Sequence, residues 1–140
     1  MDERLRLIKI VSEQAQYLMR ETGGLLPFAV ILDNEGHVRQ LILDWEEEHP
    51  DARELTVALE AVVKVRLKFK SILGGVVCTD VLYRPNGQAE QQDALQMKHL
   101  LPQETEYYFQ PYVSVNDKTF VFAEILRDDM SWDRLSALAE

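Results

Sequence analysis

The chain has 140 residues, 46% hydrophobic and 28% charged, ordinary for one globular domain and too apolar for disorder. Its formal charge is −9, from 24 acidic against 15 basic residues. That field repels nucleic-acid phosphates and anionic lipid headgroups, so neither nucleic acid nor membrane is expected as a partner.

The one cysteine, Cys78, excludes an intramolecular disulfide and cysteine-rich zinc sites. It lies in the apolar run Val76-Val77-Cys78, where a buried structural thiol is expected rather than a nucleophile. No signal sequence is visible, and no apolar run approaches the roughly 18 residues of a membrane span, so a cytoplasmic location is expected.

Residues 3–22 read as an amphipathic helix, with Leu7, Ile10 or Val11, Gln14, and Tyr17 or Leu18 at helical spacing and Leu5, Ile8 and Ala15 widening the stripe. Gly23-Gly24 stops it, because glycine supplies the left-handed conformation of helix ends. Phe28–Leu32 is a short apolar run, the pattern of a strand covered on both faces or central in a sheet. Asp33 and Gly36 bracket a four-residue turn, and a second strand over 37–43 returns to form a hairpin.

Residues 45–50, rich in glutamate and ending in Pro50, read as a loop. Asp51 and Glu54 form a capping pair for a second helix whose stripe is Leu55, Ala58, Leu59, Val62, Val65, Phe69 and Ile72. Lys64, Arg66, Lys68 and Lys70 fall on its solvated remainder near the negative end of the helix dipole, and Gly74-Gly75 closes it.

Beyond residue 75 the pattern alternates. Val76–Tyr83, Ala94–Leu101, Tyr107–Val115 and Thr119–Leu126 read as strands of an antiparallel meander, with Arg84–Gly87 and Asn116-Asp117 among the turns. Pro111 predicts a bulge or break, since proline cannot donate to a ladder. Ser131 caps a short last helix bearing Trp132, Leu135 and Leu138. The expected fold is a single α+β domain over residues 1–140, in the order αββαββββα, with an antiparallel sheet of five to six strands.

The segments Pro27–Val38 and Val81–Gly87, the latter running on to Asp93-Ala94, resemble a group of small uncharacterised bacterial α+β proteins. That group has no assigned activity, so the resemblance implies no catalytic residue. At fold level the order also resembles profilin-like and roadblock or longin domains, which implies dimerisation and a scaffolding or regulatory role.

No cluster points to a catalytic centre, a metal or a cofactor. The histidines His37, His49 and His99 have no paired-ligand spacing, and His49 beside Glu46, Glu47 and Glu48 reads as an exposed acidic loop. His99 shares a strand face with Leu95, Met97 and Leu101.

Asp80, Arg84 and Asp93, with His99, form the candidate polar site. Asp80 interrupts an apolar strand, and the other two flank the same hairpin, as a cross-strand ion pair or a small anion-binding pocket. Tyr107 and Phe109 fall on one face of their strand and Tyr108 and Tyr112 on the other, the second face suiting an interface or a covering helix.

The leading functional expectation is a non-enzymatic interaction or regulatory module that self-associates as a homodimer. The alternatives are an acidic inhibitor or immunity-type protein masking a basic partner, and a small-ligand binder or enzyme near Arg84 and Asp93.

Overall fold

The computed structural model describes residues 3–43, 51–83 and 91–127. Among them are α1 (Glu3–Thr22), β1 (Phe28–Asp33), β2 (Val38–Leu41), α2 (Ala52–Lys68), β3 (Ile72–Tyr83), β4 (Gln92–Leu100), β5 (Thr105–Asn116), β6 (Thr119–Phe122) and β7 (Leu126–Arg127). The strands make one antiparallel sheet in the order β2-β1-β3-β4-β5-β6, with β7 also paired to β5. The fold is α+β with seven strands rather than five or six, because the strand expected over 119–126 is broken in two. The expected last helix, the 84–87 turn and the acidic loop lie outside the described residues.

The apolar runs of β1 and β3 follow from what covers the sheet. α1 packs on one face, over Phe28, Val30, Val76, Cys78, Leu95 and Met97. α2 packs on the other, over Ala29, Ile31, Leu41, Ile72 and Val77. Alternate residues of one strand therefore both meet apolar cover. The buried stripe of α1 is Leu7, Ile8, Val11, Ala15 and Met19, and each large side chain so buried contributes about 1.5–3 kcal/mol. Leu5 and Tyr17, placed in that stripe by spacing alone, are 51% and 58% exposed.

At the first hairpin Asp33 Oδ1 accepts from the backbone N–H groups of Glu35 and His37, and Gly36 takes φ 87°. Arg39 Nε donates to Asp33 Oδ2 at 2.8 Å and holds that carboxyl down at about 2.

α2 begins as read, with Asp51 Oδ1 accepting from the N–H groups of Arg53 and Glu54. Its end and its buried face differ. Lys70, not a glycine, takes the left-handed slot with φ 59°. The N–H of Ser71 reaches Arg66 O at 2.9 Å and that of Lys70 reaches Leu67 O at 3.0 Å, a Schellman closure.

Gly74 and Gly75 belong instead to β3 and are there for clearance. A Cβ on Gly75 would stand 2.7 Å from Val63 Cγ1 of α2. The buried residues of α2 are Leu59, Val63 and Leu67, whereas Val65 and Phe69 are 54% and 74% exposed.

Pro111 sits in β5, opposite Ala94 of β4. On its other edge Ala123 N donates to Pro111 O at 2.8 Å, and the return bond that proline cannot give comes from Gln110 Nε2, 3.0 Å from Ala123 O. The neighbouring strand then shifts register: Tyr112 faces Phe122, but Phe109 faces Leu126. The bulge or break expected at Pro111 is not in its own strand, since β5 runs on through it; the interruption lies in the partner, between β6 and β7.

Two substitutions test this reading. Gly75→Ala should destabilise the protein by about 1–3 kcal/mol through overpacking against Val63. Lys70→Gly should stabilise it by up to about 1 kcal/mol by relieving the left-handed strain. Urea unfolding midpoints check both signs.

Candidate functional site

β4 and β5 pair with His99 opposite Glu106, both on the sheet face beneath α1. Glu106 is 1% exposed, and a carboxylate so buried is costly unless other groups compensate it. Three side chains do so, and a fourth lies close by. Arg4 of α1 approaches Oε2 at 3.1 Å, and Arg127 of β7 approaches it at 3.3 Å. Tyr108, two residues on and so on the same face, donates its hydroxyl to Oε1 at 3.2 Å. His99 Nδ1 lies 3.2 Å from Oε1 without a hydrogen bond of its own. Glu104 meets Arg4 at 3.3 Å on the outer side.

Burial pushes the His99 imidazole below its ordinary value, outweighing the opposing pull of the Glu106 carboxylate. Burial, then the same carboxylate, raises the Tyr108 phenol.

Above this cluster, between α1 and the β5–β7 edge, opens a cavity of about 540 Å³. Leu5, Ile8, Ile125 and Tyr108 supply its apolar wall, with Glu106 at its base. Arg4, Lys9 and Arg127 bring three positive charges to its lining. Leu5, exposed on a helix that buries Leu7 and partly buries Leu18, thus faces a concavity. Lys9 makes no ion pair among the described residues. The arrangement suits an apolar body carrying an anionic head.

His99 is not part of that lining, and its Nε2 lies 3.3 Å from where a Gly74 Cβ would stand, so the imidazole faces the β3 backbone. No group of three or more metal-ligating side chains occurs among the described residues.

Of the polar set expected from sequence, Asp80, Asp93 and His99 are among the described residues, and His99 stands apart from the other two. Tyr112 donates its hydroxyl to Asp80 Oδ1 at 2.7 Å. Burial raises the Asp80 carboxyl despite that bond, with Asp93 adding to the rise. Burial and then Asp80 raise the Tyr112 phenol well above its usual range.

Asp93 pairs in register with Leu82, and Arg84 lies outside the described residues. His99 stands four residues along β4 from Leu95, the partner of Asp80, a separation of about 13 Å. Tyr108 and Tyr112, 4% and 8% exposed, lie in the core beneath α1. The covering helix expected as one option for that face is the chain's own. Cys78 is fully buried, and desolvation raises its thiol far above the usual range.

Arg4, Lys9 and Arg127 belong to no motif. The signal for Glu106 is the alternation Glu106, Tyr108, Gln110, Tyr112, which puts a carboxylate on a core-facing side of β5.

Because the folded His99 binds its proton more weakly than the ordinary 6.5, the unfolded chain takes up more protons between those two values. Stability from this source is complete above about pH 6.5 and falls as pH drops through the window down to the folded value. His99→Gln should flatten the fall in urea midpoint between pH 7 and pH 5; parallel curves for the two proteins would remove His99 as its cause.

No protein-family model matches the chain, and no curated protein or solved structure matches it.

Proposed function

We propose that this chain is a non-enzymatic binding module whose α1 pocket takes an amphipathic anion. The observation that carries the reading is the convergence of Arg4, Lys9 and Arg127 around a wall of Leu5, Ile8 and Ile125. Set against the single carboxylate of Glu106 in the same lining, the three cations leave this apolar concavity net positive in a chain of net charge −9, which favours anionic over neutral and cationic ligands there.

The non-enzymatic part rests on how the titratable groups are used. Glu106 compensates two guanidinium groups, His99 faces backbone, and Asp80 is held by Tyr112. Of the three only Glu106 reaches the pocket, and its carboxylate is engaged by Arg4, Arg127 and Tyr108.

Lys9 is the residue to vary, since it is exposed and outside the Glu106 cluster. Thermal unfolding in the presence of decanoate, decanol or decyltrimethylammonium tests the reading. Near a hundredfold excess over Kd, decanoate should add about 2.7 kcal/mol of stability and raise Tm by about 5 °C or more. Decanol should do less and the cation nothing. Lys9→Glu should weaken decanoate binding roughly tenfold. Equal stabilisation by decanol and decanoate, or an unchanged affinity in Lys9→Glu, would remove the anionic selectivity.

A further inference from the structure

α2 is apolar on two opposite sides. Leu59, Val63 and Leu67 are buried against the sheet. On the solvent side Val57, Ala61 and Val65 recur at every fourth residue and Phe69 continues the row at the helix cap. All four are exposed, Val57 at 60%, Val65 at 54% and Phe69 at 74%. One such side chain at a surface is ordinary, but a ridge spanning three turns of one helix is a packing surface.

The charges around this ridge say what fits it. Glu54 and Lys68 each lie seven residues from Ala61, two helical turns in opposite directions, and therefore on its face. Val57 and Val65 each lie four residues from Ala61. The face reads outward from Ala61 as valine then glutamate in one direction and valine then lysine in the other.

A two-fold axis at Ala61 pairs each valine with the other valine of a second copy and each glutamate with a lysine. Neither Glu54 nor Lys68 makes an ion pair among the described residues, so both charges are available. More broadly, the first half of the helix carries Asp51, Arg53 and Glu54, with Glu60 held by Lys98 of β4, and the second half carries Lys64, Arg66, Lys68 and Lys70, so the excess of positive charge lies at the C-terminal end. Parallel pairing would set like charges together, whereas antiparallel pairing sets opposite ones together. The small side chain at the centre lets the two backbones approach closely.

We infer that α2 is a homodimer interface, in which two copies pack antiparallel about Ala61 with Val57 against Val65 and Glu54 against Lys68 of the second copy. The surface is distinct from the α1 pocket, lies on the opposite face of the sheet, and does not depend on that pocket's ligand. One helix pair falls below the roughly 1,200 Å² of standard stable interfaces, so the dimer is reversible.

Sedimentation equilibrium of the whole chain, at low salt and into the high micromolar range, tests it. The native protein should dimerise. Ala61→Arg, which sets two like charges at the axis on an exposed and helix-compatible position, should be monomeric with an unchanged circular dichroism spectrum. Glu54→Lys and Lys68→Glu, made singly, should each raise the dimer Kd roughly tenfold, since each breaks both symmetry-related pairs. The double variant restores both pairs reversed and should return to within about threefold of the native Kd.

A monomeric native protein at the highest concentration would overturn the inference. So would a dimer indifferent to Ala61→Arg, and so would a double variant no tighter than the singles.

Discussion

Glu106 is a charge held out of water in the middle of a sheet face, and much of this architecture answers to it. A lone carboxylate at 1% exposure would neutralise itself or unfold its surroundings. The chain instead brings Arg4 from its first helix, Arg127 from its last strand, and Tyr108 and His99 from the sheet to the same two oxygens. Contacts more than a hundred residues apart in sequence meet there. Breaking such a cluster by removing one cation costs more than the pair contributes, because the carboxylate stays behind unpaired. The cluster therefore specifies where α1 and the β7 edge sit more than it adds to stability, and the pocket between them is a by-product of that placement.

The second constraint is the missing donor at Pro111. A strand paired on both edges has no place for proline unless something else supplies the bond. Here the neighbouring Gln110 amide supplies it, and the adjoining strand gives up its register just beyond. That shift leaves Ile125 between β6 and β7, against the α1 layer, where it becomes a wall of the cavity. A backbone deficiency in one strand is thus tied to the position of one apolar side chain in the site.

Sequence reading reaches the features governed by local chemistry. The bounds of α1, the Asp33–Gly36 turn and the Asp51 cap are each set by a few adjacent residues, and each is where local rules place it. It fails where local rules are degenerate. Gly74-Gly75 has the composition of a helix stop, yet its role is clearance for Val63, which only the packed structure reveals. The stripe of α2 is ambiguous for a similar reason. Two apolar rows share one helix, so periodicity alone cannot say which is buried, and Val65 and Phe69 fall on the wrong side. The candidate site is the least legible part, because Arg4, Lys9, Glu106 and Arg127 come from three distant elements and share no spacing.

The excess of acidic residues gives the two surfaces a common logic. A net charge of −9 repels anions at long range, but beyond about 10 Å salt screens that field at ordinary ionic strength. Local arrangement then decides binding, and the cations are not spread evenly. Arg4, Lys9 and Arg127 gather at one cavity on the α1 face, and Lys64, Arg66, Lys68 and Lys70 gather along the second half of α2 on the other face. The first group confronts an apolar concavity, which favours a small amphipathic anion. The second runs along an apolar ridge whose opposite end is acidic, which favours a partner with the inverted charge order. A second copy of the same helix, reversed, has that order by construction. With the sheet between them, both surfaces can be occupied at once.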